Sequence, residues 1–147
     1  MFAISHAAKN ASVEKLARHL EVNVLEPGWK LGLVDSGACT STAPHGEFLT
    51  PFNTDAEKLH LVSAQGVALE HYGSQTVLLF FGGYHEKAAV TFQITNVRRV
   101  IFAVSKLTLA GYFVFFEPWN PRIENPRNGH VIKMRLIKGL FFVAYRA

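Results

Sequence analysis

From Trp29 onward the apolar residues come in short bursts, separated by glycine, proline and asparagine. That pattern predicts strands and turns rather than long helices. Trp29–Val34 is an apolar run that ends on Asp35. Leu59–Ala64 and Val67–Tyr72 flank Gln65-Gly66, which predicts a tight hairpin because glycine tolerates positive φ. Thr76–Phe81 and Ala88–Thr95 bracket Gly82-Gly83 and predict a second hairpin. Val100–Val104 is a further apolar run, and Ser105 is placed to cap a single helical turn, Lys106 to Ala110, stopped by Gly111. Tyr112–Phe116 predicts a strand, and the proline-rich stretch from Glu117 to Asn128 a loop. Val131–Leu136 and Leu140–Tyr145 predict a closing hairpin about Lys138-Gly139. Helical spacing occurs near the start, where Ser12 precedes Val13, Leu16, Ala17 and Leu20 on one face, before Pro27-Gly28 breaks the chain. Short strands with turn signals at roughly 8–12-residue spacing predict an all-β barrel or sandwich. The expected organisation is an arm over residues 1–27 carrying a short helix, followed by one β domain over 28–147.

Composition narrows the classes. The chain has 147 residues, 49% of them apolar and 18% charged, which excludes a disordered, solvating protein. Cys39 is the single cysteine, so a disulfide-built scaffold is excluded and an intracellular, cytoplasmic setting is expected. The longest apolar runs, Val77–Phe81 and Tyr112–Phe116, are too short for a membrane helix, and Met1–Ala11 lacks the apolar stretch of a signal peptide. No membrane partner is therefore expected. The net charge of +4 is spread along the chain, with Arg98-Arg99 its densest group, so a dedicated nucleic-acid site is not expected either. The seven histidines show neither His-x-His nor His-x-x-x-His spacing. His85-Glu86 begins like a zincin motif, but Ala89 stands where its second histidine belongs. Neither a metal nor a cofactor is expected. Cys39 is expected to pack as a small hydrophobe rather than to pair with His45 as a nucleophile.

Two aspartates are present. Asp55 lies in the polar stretch Asn53–Glu57. Asp35 follows Leu31-Gly32-Leu33-Val34 and precedes Ser36-Gly37-Ala38. A carboxylate that ends an apolar strand is costly to desolvate unless hydrogen bonds compensate. Gly37 permits a sharp turn that folds backbone N–H groups toward it, and Ser36 adds a hydroxyl. From these residues alone, Asp35 is either a strand-end cap or a catalytic carboxylate.

The run Leu33-Val34-Asp35-Ser36-Gly37-Ala38-Cys39-Thr40-Ser41-Thr42 resembles the active-site segment of retropepsin-like aspartic proteases of the retrotransposon type. Leu61-Val62-Ser63-Ala64-Gln65-Gly66-Val67 and the residues on to Gly73 resemble the flap hairpin of copia-like element proteases. Val97–Gly111 resembles the strand and short helix that back their catalytic loop, with Val100 in place of a frequent proline and Phe102-Ala103 in place of a leucine-serine pair. The resemblance covers about Trp29 to Phe116. It implies a small closed β-barrel of the acid-protease fold with a flap hairpin and one short helix toward the C-terminal half. It implies Asp35 as the catalytic residue, Ser36, Gly37 and Ala38 as the active-site loop, and Ala64, Gln65, Gly66 and Val67 as the flap that contacts substrate.

Hydrolysis of a peptide by this chemistry requires two carboxylates that share one proton. The chain has a single Asp-Ser-Gly, so the resemblance implies a homodimer in which each copy gives one Asp35. The expected substrate is a peptide or a retrotransposon-type polyprotein. A retropepsin-like dimeric binding module without activity is the alternative, and a generic β module with a coincidental Asp-Ser-Gly is a third. Phe113, Phe115, Phe116, Phe141 and Phe142 crowd the last third of the chain. They are expected either as ordinary core or as part of a C-terminal strand shared between two copies.

Overall fold

In the computed structural model, residues 27–54, 57–82 and 86–147 are described. The expected helix over Ser12–Leu20, and the arm it belongs to, lie outside them. The described residues form strands β1 (Lys30–Asp35), β2 (Thr42–Pro44), β3 (Leu61–Val62), β4 (Ala68–Leu69), β5 (His71–Phe81), β6 (Glu86–Thr95) and β7 (Ile101–Ala103). A helix α1 (Val104–Leu109) follows, then β8 (Phe113–Phe115), β9 (Arg122–Glu124), β10 (Val131–Lys133), β11 (Arg135–Ile137) and β12 (Leu140–Arg146). The protein is mostly β, as its alternating apolar bursts require.

Seven strands form one mixed sheet in the order β1-β7-β2-β6-β5-β12-β11, and β12 also pairs with β1. The ladder thus returns to its first strand. β1 lies parallel to β7, with Asp35 opposite Ala103, and antiparallel to β12, with Lys30 opposite Tyr145. The β5–β6 hairpin is the longest pairing, running from His71 opposite Thr95 to Phe81 opposite Glu86. Its register shifts between His71 and Gly73. A β-carbon at Gly73 would collide with the backbone oxygen of Asn53, so only glycine admits the Asn53–Ser74 bridge beside that shift.

The core lies between the curved large sheet and a three-stranded sheet ordered β10-β9-β8. Phe92 and Phe102 are fully buried. The Phe102 ring meets those of Phe81 and Phe92 at 5.5 and 5.7 Å, and that of Tyr145 at 5.7 Å. Such offset and edge contacts add to the area buried. Ile123 and Ile132 turn inward from the smaller sheet at alternate positions, as strand geometry dictates.

Four expectations change. The helix begins at Val104, ahead of the expected turn, with Ala103 at its cap and no side-chain capping bond. The Ser105 hydroxyl donates instead to the Ala38 carbonyl at 3.5 Å. The stretch from Glu117 to Asn128 contains β9, because Pro121 and Pro126 lie outside Arg122–Glu124 and Ile123 is free to bury itself. The run Val131–Leu136 splits at Met134, so that β10 joins the small sheet and β11 makes the hairpin with β12. None of the five phenylalanines is fully buried, though Phe116 and Phe141 pack against the core as half-buried rings. Phe113 is exposed and the other four are half-buried. Arg122 covers the Phe115 ring at 4.1 Å, Arg99 lies over Phe142, and Phe116 meets Phe141 at 4.8 Å. Both edges of β12 pair within the same chain, with β1 on one side and β11 and β5 on the other. That removes it as a strand shared between copies.

Candidate active site

Asp35 closes a strand that is hydrogen-bonded on both sides. Val34 is buried beneath it, and the carboxyl-bearing residue itself is half-buried. Its Oδ1 accepts the Gly37 N–H at 2.8 Å. A turn cap makes that bond, and so does a carboxylate held for chemistry. No cation among the described residues pairs with Asp35, which leaves its second oxygen available. Ser36 and Gly37 are exposed and Ala38 is half-buried, so the loop faces solvent.

The loop is anchored from behind. Ser41 Oγ accepts the Ala103 N–H at 3.0 Å, and the Ser41 carbonyl accepts the Gln93 N–H at 2.9 Å. Ser105 reaches Ala38 from the first turn of α1. β7 and α1 therefore back the Asp35 loop. Cys39 is exposed rather than packed, because the loop points away from the core. Thr42, one residue past Ser41, is buried with no hydrogen-bond partner for its Oγ1.

The candidate flap is a hairpin, but a short one. β3 and β4 are two residues each, and Gly66 turns the chain at φ 81°. Ser63 N–H donates to the Val67 carbonyl at 2.8 Å, and Gly66 N–H to the Ser63 carbonyl at 2.9 Å. Ala64, Gln65, Gly66 and Val67 are all exposed at its tip. The Tyr72 end of the expected strand instead opens the long strand β5.

Asp35 lines neither of two nearby cavities. One, of about 200 Å³, is mostly apolar and has Thr40, Ser41, Val90, Leu107 and Tyr112 among its walls. The other, broader and more open, lies among His45, Phe52, Thr54, Lys58 and Tyr72. No group of three or more metal-ligating side chains occurs among the described residues.

The most tightly bonded polar group lies elsewhere. Glu86 is buried, and its Oε2 accepts the Tyr112 hydroxyl at 2.7 Å and Asn125 Nδ2 at 2.9 Å. Its Oε1 accepts Asn128 Nδ2 at 3.1 Å and meets His130 Nδ1 at 3.0 Å. Burial pushes this carboxyl up, but the four hydrogen bonds outweigh it and bring it down to about 2. Burial and the bond to Glu86 push the Tyr112 hydroxyl up to about 12. With both oxygens engaged, Glu86 is a tie between β6 and the small sheet rather than a base. The sequence carried no local sign of it, since its partners come from two distant segments, Tyr112 and the stretch Asn125–His130.

Comparison with protein-family models, curated proteins and solved structures returns no match to this chain.

Proposed function

We propose that this chain is one half of a retropepsin-like aspartic endopeptidase, a small closed barrel that works as a homodimer on a retrotransposon-type polyprotein. The placement of Asp35 carries the proposal. It sits at the end of a strand paired on both sides, held by the Gly37 N–H, backed by β7 and α1, and free of any cation among the described residues. The return of the ladder through β12 to β1 supports the barrel. The exposed thiol of Cys39 suits a reducing, cytoplasmic compartment.

In the dimer, two Asp35 carboxyls share one proton across a two-fold axis, because like charges about 3 Å apart do not both ionise. The ionised carboxylate takes a proton from a water held between them as that water adds to the peptide carbon. The protonated carboxyl gives its proton to the carbonyl oxygen. Collapse of the tetrahedral intermediate breaks the C–N bond, and the amine leaves with a proton from the first carboxyl. Hairpins 61–69 from the two copies would cover an extended peptide, with Val67 against its side chains.

Asp35→Asn tests the assignment. The variant is expected to keep the wild-type circular dichroism and to lose at least about a thousandfold in cleavage of a denatured protein substrate. Pepstatin-type inhibitors are expected to block the wild type. Unchanged turnover in the variant removes Asp35 from the chemistry. The two-residue strands of the hairpin favour a second reading, a dimeric binding module without turnover. It is distinguished by peptide binding, seen by calorimetry, with no cleavage.

A further inference from the structure

His71 begins β5 and is buried, and its ring is engaged at both nitrogens. Nδ1 accepts the Leu59 N–H at 3.1 Å, so it carries a lone pair. The ring proton then resides on Nε2, which lies 2.7 Å from Gln93 Oε1. The connection runs further. Gln93 N–H donates to the Ser41 carbonyl, Ser41 Oγ accepts from Ala103, and Ala103 pairs with Asp35. One bonded chain thus leads from the base of the 61–69 hairpin to the Asp35 loop.

We propose that His71 is the positioning residue that fixes the base of this hairpin relative to the Asp35 loop, and that it does so only as the neutral Nε2–H imidazole. A proton added at Nδ1 turns the acceptor into a donor and sets it against the Leu59 N–H. Among the described residues, no carboxylate is bonded to the His71 ring to receive the added charge. Lys58 Nζ donates to the backbone carbonyl of His71 itself at 2.9 Å, a positive charge at the same residue. Glu70 is engaged by the Tyr72 hydroxyl. Gln93 and Thr95, facing from β6, are neutral, and His45 lies against the Phe52 and Tyr72 rings. Acid therefore unfastens the hairpin base while the large sheet stays folded. The latch is independent of the peptidase assignment.

Amide exchange on the whole chain, followed by NMR, tests it. Between about pH 8 and pH 5 the Leu59 protection factor is expected to fall about tenfold. Val77, in the middle of β5, is expected to keep its protection. Nitrogen shifts of the His71 ring at neutral pH are expected to report the Nε2–H tautomer. His71→Asn places a non-titrating amide oxygen near the Nδ1 position and is expected to give a flat Leu59 profile. A flat wild-type profile, an Nδ1–H tautomer, or equal loss at Val77 overturns the proposal. The wild-type measurements decide even where the variant does not fold.

Discussion

Thr42 shows how a single side chain sets a cost that no pattern of hydrophobicity reveals. It lies next to Ser41, whose hydroxyl is used to anchor Ala103, yet its own Oγ1 is buried without a partner. A buried hydroxyl without a hydrogen bond costs about 1–3 kcal/mol. Thr42→Val keeps the branched shape and removes the oxygen. It is expected to raise stability by about 1 kcal/mol, read as a higher thermal midpoint, whereas Ser41→Ala is expected to lower it. A fall in the midpoint of Thr42→Val would mean that the hydroxyl has a partner in solution. At this same scale the turn after Asp35 was legible, because a carboxylate after an apolar run and before Ser-Gly is a local signal. It was misleading about Cys39, since the direction in which a loop side chain points depends on what backs the loop.

Elements were legible where turn chemistry is local. Gln65-Gly66 and Lys138-Gly139 mark real turns, and Lys138 and Gly139 both adopt positive φ, 51° and 79°. β9 was hidden because flanking prolines read as loop, though proline bars a strand only where its own N–H is needed. The division of Val131–Leu136 between two sheets was also hidden, since alternation reports that a strand is half-buried and not which neighbour it joins. The Glu86 tie belongs to this scale, because it fastens the start of β6 to the segments carrying Tyr112, Asn125, Asn128 and His130. Its carboxyl falls from the usual 4.5 to about 2 in the folded protein. A lowered folded value stabilises above the unfolded value and is lost as the pH falls toward the folded one. Glu86 should therefore contribute about 3 kcal/mol above pH 5, declining toward pH 2. Denaturant midpoints measured across that range should drop more steeply for the wild type than for Glu86→Gln. Parallel curves would show that the tie does not govern acid stability.

For the whole molecule, the closing of the ladder through β12 decides what kind of dimer is open to the chain. A second copy cannot extend β12, so in the dimer proposed above the two copies would meet through the Asp35 loop and not through a shared β12. If that interface is confined to the loop and its surroundings it is small, and association of the proposed dimer is expected to be weak. Peptidase activity per chain should fall as the protein is diluted, in step with the dimer fraction from sedimentation velocity. Full activity in a preparation that sediments as monomer would exclude a shared centre. The all-β class was legible from strand and turn spacing. The pairing order was not, because it is fixed by contacts between residues far apart in the chain.

The place of β12 bears on synthesis as well. The last strand lies between the first and the fifth, so without it the run β1-β7-β2-β6-β5 is an open sheet whose two outer strands lack their closing partner. On the ribosome, β1 and β5 wait with open edges until residue 146 emerges. During that interval the nascent chain is most exposed to mispairing and to chaperones.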